Sequence, residues 1–215
     1  MSAKIHKLFR DQTTGKKKRE RTRGALLDSA ISVFSAKGFE ATRIVDITNH
    51  ADMANGTFYN YYETKDELLH DAAYGIAVEV TGRINTEMKD IAHGPTRVAL
   101  ATAKLLQFAR QEPEWIEVLL NGASVVPEMQ SDMIQYFRQD LEIGIEQGHF
   151  NIEINLLLVN QHLALIQAAL LFDAKISDDT IIQTCEAVLQ LLGLTPARAT
   201  KQVASVFKTY LNQDD

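Results

Sequence analysis

Apolar residues recur along this chain at helical spacing. Leu26, Leu27, Ala30, Ile31 and Phe34 form one stripe of a helix. That helix stops at Lys37-Gly38-Phe39, where glycine takes the left-handed position and Phe39 folds back on the last turn. Thr42 is the expected N-cap of a second helix, with Ile44 and Ile47 facing a core. A tight break follows at Ala51-Asp52-Met53-Ala54. Asp52 occupies the position that needs positive φ, and Met53 is expected as the buried plug of the turn. The spacing predicts a third helix over Asn55–Tyr62, with Phe58 and Tyr62 inward. Asn55, Thr57, Asn60 and Tyr61 are left on its accessible sides. Thr64-Lys65-Asp66-Glu67 reads as a capping box that opens a long fourth helix.

Beyond this point the pattern stays helical. The fourth helix runs to about Ile91, and His93-Gly94-Pro95 breaks the chain. Further helices are predicted near 96–110, from Glu112-Pro113, from Val126-Pro127 to Gly148, and near 153–173, 178–193 and 196–212. Gly193-Leu194-Thr195-Pro196 is a stop and restart, with proline at the first helical position. Alternating apolar and polar runs are scarce, so the expected class is all-α. A three-helix unit over 18–64 follows a flexible basic arm over 1–17 and precedes a larger helical domain over 65–215.

The segment Ile154–Phe172 is apolar nearly all round and long enough to raise the question of a membrane span. Asn155, Asn160, Gln161, His162 and Gln167 would lie at hydrocarbon depth, which argues against it. A helix apolar on every side is instead buried on every side, with one face on its own core and another on a partner subunit. Together with Ile181, Ile182, Val188, Leu189 and Leu192, it is expected to supply half of a four-helix interface in a homodimer.

Charge divides unevenly. Residues 1–70 carry 12 Lys and Arg against 9 Asp and Glu, whereas 71–215 carry 10 against 19. The positive charge concentrates in Lys16, Lys17, Lys18, Arg19, Arg21 and Arg23, a cluster suited to phosphates or a minor groove. Residues 1–15 alone read as a solvated leader. A short helix exposed on a polar and aromatic face beside such a cluster fits the major groove of double-stranded DNA, and the two helices with their tight break read as a helix-turn-helix.

These residues resemble the tetracycline-repressor (TetR) family of bacterial one-component regulators. The resemblance rests on Gly38-Phe39, Asp46-Ile47, Gly56-Thr57-Phe58-Tyr59, Tyr62, Lys65 and Leu68-Leu69, and covers roughly residues 20–70. It implies that Thr57, Tyr59 and Lys65 contact DNA backbone, that Asn55, Gly56, Asn60 and Tyr61 lie at or near base edges, and that Arg43 belongs to the same surface. Two positions depart from the family pattern. Asp52 stands where a turn glycine is usual, and Ala54 replaces a capping serine or threonine at a cost of about 1 kcal/mol.

The resemblance also implies a small-molecule pocket in the larger domain. Phe108, Trp115, Leu119, Asn121, Tyr136, Phe137, His162 and Gln167 combine aromatic surface with a few polar groups, as such pockets do. No catalytic constellation accompanies them. The six histidines are scattered without metal-ligand spacing, and neither a phosphate-binding glycine loop nor a nucleophile elbow occurs. No enzymatic activity, cofactor or metal is expected. Cys185 is the only cysteine, which makes a reducing cytoplasm the natural setting, and no secretory signal is visible. The expected function is a dimeric regulator released from its operator by a small hydrophobic inducer. A regulator without an inducer and a transcriptional activator stand as alternatives.

Overall fold

The computed structural model describes residues 8–123, 127–173 and 175–211, with side chains at all of these except 117, 121–123 and 127–134. Among the described residues the fold is all-α. The elements are α1 (Leu8–Gln12), α2 (Lys18–Lys37), α3 (Ile44–His50), α4 (Asn55–Phe58), α5 (Lys65–Glu87) and α6 (Gly94–Gln111). They continue with α7 (Pro113–Ala123), α8 (Pro127–Glu146), α9 (Leu156–Phe172), α10 (Asp178–Leu191) and α11 (Pro196–Val206), which ends in a π-helical turn at Phe207–Leu211. The chain divides into two compact units, Met1–Ala77 with Glu112–Gln130, and Val78–Gln111 with Ser131–Asp215. The sequence pattern alone puts the boundary at 64/65. By packing, the division into compact units falls within α5, between Ala77 and Val78, and α7 lies in the first unit against α2.

The first unit is built on the stripe of α2. Leu26, Leu27, Ala30, Ile31 and Phe34 are buried, joined by Ile47, Phe58, Leu68, Trp115 and Val118. Gly38 ends α2 at φ 77°, and Phe39 returns to meet Phe34 edge-on, 5.3 Å between ring centres. The cap of α3 lies one residue later than expected. Thr42 is buried and donates its hydroxyl to the Gly38 carbonyl (2.7 Å), closing the α2–α3 turn. Arg43 is the N-cap, and its amide donates to the Asp46 carboxylate at 2.9 Å. Lys37 holds the other oxygen of Asp46 at 2.7 Å and keeps that carboxyl below its usual range.

The beginning of the chain departs further from expectation, because residues 8–12 are a helix and not a solvated leader. The Asp28 carboxylate, buried in α2, accepts the amides of Phe9 and Arg10, both at 3.0 Å. Those amides would otherwise lack partners at the start of α1. Phe9 is buried against Gly24 and Gly75. A Cβ at Gly24 would come within 2.7 Å of the Phe9 carbonyl oxygen, and one at Gly75 would enter the Phe9 ring. Burial raises the Asp28 carboxyl to about 6.

In the second unit α10 packs against α6, α9 and α11. Helices α6 and α8 meet backbone to backbone, since a Cβ on Gly94 would lie 2.5 Å from the Gly144 Cα. Gln147 ties this crossing by accepting the Gly94 amide (2.9 Å) and donating to the Ala92 carbonyl (2.5 Å). A buried ion pair joins Arg97 Nε to Asp140 at 2.6 Å. Arg97 also donates to the Met88 and Ile91 carbonyls and to Asn85. With all three guanidinium nitrogens engaged, this pair avoids the cost of a bare buried charge.

Most of the aliphatics of 178–193 expected at an interface turn inward. Ile181, Val188, Leu189 and Leu192 are fully buried within the chain's own bundle. The most exposed large apolar side chains lie on α9, where Leu156 and Leu157 are 67% exposed, Leu171 74% and Phe172 94%. No helix among the described residues is long and apolar enough to cross a membrane.

Candidate nucleic-acid interface and internal cavity

Two sites stand out, one in each unit. In the first, α3 and α4 meet through a turn in which Asp52 has φ 55° and the Met53 amide donates to the Thr48 carbonyl at 2.9 Å. Met53 is half-buried and lines a surface groove, so it is not the buried plug expected of it. Ala54 caps α4 without a side-chain hydrogen bond, and α4 closes after Phe58. Turn bonds from the Asn60, Tyr61 and Tyr62 amides to Thr57 and Phe58 carry the chain on. The predicted eight-residue helix is thus one helical turn plus a tightened end, as a missing cap and a glycine at the second position would favour.

Phe58 and Tyr62 point inward as expected. The Tyr62 hydroxyl donates to Asp71 at 2.5 Å, and Arg23 of α2 binds the other oxygen of that carboxylate at 2.5 Å. Burial and the Asp71 charge raise the Tyr62 hydroxyl far above its ordinary range, so it remains a donor. This bridge ties the segment after α4 to α2 and α5. The expected capping box forms in part: Thr64 accepts the Glu67 amide (3.1 Å), but the Glu67 side chain reaches past the N-cap to the Glu63 amide (2.7 Å).

Asn55, Gly56, Tyr59 and Asn60 are exposed, Thr57 and Tyr61 half-buried, and Arg43 exposed beside them. A Cβ on Gly56 would meet nothing within 4 Å. Internal packing therefore does not require glycine there, although glycine in a helix costs about 0.5–1 kcal/mol against alanine. Tyr59, 56% exposed, stands edge-on to Phe58 at 5.4 Å. Lys18, Arg19 and Thr22 of α2 line a groove with Asp52, Thr57, Asn60 and Tyr61. The Arg19 guanidinium lies 5.9 Å over the Tyr61 ring. That cation–π pair joins residues far apart in sequence, and no local pattern signals it. Lys65 sits differently from a free phosphate contact. Its ammonium donates to the Phe39 (2.6 Å) and Thr42 (3.0 Å) carbonyls and lies 4.1 Å over the Phe39 ring. One of its three protons is left for an outside partner.

The second unit holds a partly open cavity of about 90 Å³. Thr81, Ile84 and Asn85 of α5, with Met88 just past its end, form one wall, and Val98, Ala101, Thr102 and Leu105 of α6 another. Tyr136, Phe137 and Asp140 of α8 face Val159, His162, Leu163 and Ile166 of α9. His162 and Phe137 stack with ring centres 3.8 Å apart and planes 9° from parallel. Burial pushes the His162 imidazole down to about 4, so the ring is neutral at physiological pH. Burial raises the Asp140 carboxyl while Arg97 opposes the rise.

Of the residues that the sequence suggests for a pocket, Tyr136, Phe137 and His162 converge on this cavity. Phe108 is half-buried on α6 outside its lining, and Gln167 is exposed on α9. Trp115 and Leu119 belong to α7 in the first unit, where Trp115 is core. The Asn121 side chain lies outside the described residues. The aliphatic lining, such as Ile84, Met88 and Leu105, carries no signal of its own, because in sequence it is indistinguishable from core.

Residues 26–72 match the family model described as bacterial regulatory proteins, tetR family. The HTH-type transcriptional regulator YerO of Bacillus subtilis (strain 168) is 32% identical over 115 residues, 52% of this chain and 39% of that relative. The chain thus spans about two fifths of that relative's length. Among solved structures, RolR in complex with resorcinol superposes with a TM-score of 0.69 at 24% identity, covering 87% of this chain and 95% of RolR. FadR from Bacillus subtilis in complex with stearoyl-CoA gives 0.60 at 18% identity, covering 79% and 97%. At these identities the likeness is one of fold. The matched residues run from the second half of α2 through α3, its turn and α4 into the start of α5, so over 26–72 this chain carries the DNA-binding segment of the tetR family of bacterial regulatory proteins.

Proposed function

We propose that the chain is a ligand-responsive transcriptional repressor that binds double-stranded operator DNA as a homodimer and leaves it when a small hydrophobic molecule fills the cavity. The observation that carries this reading is α5. Its first residues include Lys65, hydrogen-bonded into the helix-turn-helix, and its last turns supply Thr81, Ile84 and Asn85 to the cavity wall. A molecule that displaces those wall residues displaces the helix that begins at the DNA-binding surface. Two recognition segments held about 34–36 Å apart read successive major grooves, and a change in that spacing releases the duplex.

In this reading Thr57 and Tyr59 meet phosphates, with the free proton of Lys65 beside them. Asn55, Gly56, Asn60 and Tyr61 approach base edges, and Arg43 with Lys16, Lys17, Lys18, Arg19 and Arg21 follows the backbone. The open space at Gly56 supports close approach of a duplex. Residues 18–64 form the DNA-reading part, and 65–215 the sensing and dimerising part. The exposed α9 face of Leu157, Leu171 and Phe172 is the surface proposed to meet the second copy. That RolR holds resorcinol and FadR stearoyl-CoA on the same fold supports a ligand here. The reading is tested by retardation of a DNA fragment from the protein's own promoter region, with and without compounds that raise its melting temperature. Absence of any shifted complex would overturn it.

A further inference from the structure

We infer that the cavity takes an uncharged compound built on a single aromatic ring and bearing a hydroxyl group, which pairs with the imidazole of His162. The inference builds on the ligand-responsive reading above but is tested apart from it.

Three observations select this class. The first is charge. Among the described residues the lining contains no Lys or Arg, and its one acid, Asp140, is bound by Arg97. A carboxylate or phosphate would enter without a counter-charge and lose its hydration. A cation would find only a carboxylate already paired. The second is size. At about 90 Å³ the cavity is smaller than the roughly 150 Å³ that admits benzene in an engineered protein cavity. A one-ring compound fits once a side chain yields. Met88, unbranched and just past the end of α5, is the side chain best able to do so. A long acyl chain does not fit. The third is polarity. His162 is buried and neutral, and among the described residues it makes no hydrogen bond. A neutral imidazole has one donor and one acceptor nitrogen, and a hydroxyl can satisfy either. The Phe137–His162 stack adds flat aromatic wall, against which a ring packs better than a branched aliphatic.

Titration calorimetry on the full chain at pH 7 with phenol, toluene and sodium benzoate tests this directly and needs no variant. Phenol should bind, toluene should bind at least about tenfold more weakly because it leaves His162 unpaired, and benzoate should give no heat of binding. His162→Phe keeps a ring against Phe137 and should bind phenol and toluene alike. His162→Gln, which can still hydrogen-bond, should retain part of the preference. Equal binding of phenol and toluene by the parent, benzoate binding as tight as phenol, or no binding of any probe would overturn the inference. Operator retention is measured alongside. Phenol that binds without releasing DNA would leave the ligand class standing and sink the repressor reading. Release by a long-chain acyl-CoA without phenol binding would do the reverse.

Discussion

Replacing His162 with phenylalanine should change how stability depends on pH. Burial among α5, α8 and α9 holds the imidazole down at about 4, against an ordinary value of 6.5. The group is a base whose folded value is depressed, so the unfolded chain binds more protons between those values. Its contribution is therefore intact above pH 6.5 and is lost as pH falls toward 4. Between pH 7 and pH 4.5 the parent should lose about 2–3 kcal/mol through this residue alone. Asp28, raised to about 6, acts in the opposite sense over nearly the same window, since its burial is tolerated best when protonated. The parent's own curve therefore mixes opposing effects, and the difference between parent and variant is the clean quantity. Urea unfolding of both proteins at pH 7 and 4.5, followed by helix signal, should show the variant gaining about 2–3 kcal/mol relative to the parent at the lower pH. Parallel curves would mean that the imidazole is solvated and that the neutral wall assigned to it does not exist.

Other consequences follow from the same geometry. Tyr59→Ala should weaken binding to all DNA sequences alike with no loss of stability, whereas Asn60→Ala should shift sequence preference by about 1–3 kcal/mol, both read by fluorescence anisotropy against a panel of duplexes. Substituting Lys16, Lys17, Lys18 and Arg19 with glutamine should flatten the salt dependence of binding, by up to about 0.9 in log–log slope for each phosphate left without its cation. Truncating residues 1–15 is a different experiment, because it removes Phe9 and strands the buried Asp28 carboxylate. It should cost about 2–4 kcal/mol of stability in chemical denaturation, and an unaltered midpoint would count against the docked α1. Leu157→Glu with Leu171→Glu, both on the outer face of α9, should split the dimer in sedimentation and lower operator affinity while leaving the subunit folded. Leu189 is unsuitable for that purpose, since it is fully buried in its own bundle and its replacement would unfold the subunit.

How much of this is legible in the sequence depends on how local the cause is. The left-handed Gly38 and Asp52, the inward Phe58 and Tyr62 and the Thr64 cap on the Glu67 amide are each settled within a turn or two of chain, and each is readable there. The shift of the α3 cap from Thr42 to Arg43 is not, because Thr42 is taken by the Gly38 carbonyl and Asp46 serves the next amide. Nothing near Phe9 marks it as core. Its socket is made by Gly24 and Gly75, and its cap by Asp28, all distant in sequence. The cavity shows the same limit. Tyr136, Phe137 and His162 announce themselves by residue type, while Met88 or Leu105 would look the same in a solid core. Trp115 shows the converse, an aromatic that reads as pocket lining and packs as core. The aliphatics of 178–193 read as an interface for a related reason, since a helix rich in them does not reveal which ones its own bundle consumes.

The most direct test is an anisotropy titration of the full chain on a labelled duplex from its own promoter region, repeated with phenol at a concentration that saturates calorimetric binding. The expected result is tight binding of two subunits to a near-palindromic site, well above the affinity for an unrelated duplex, and release of the duplex when phenol is added. Equal affinity for both duplexes, or a complex indifferent to bound ligand, would contradict the account.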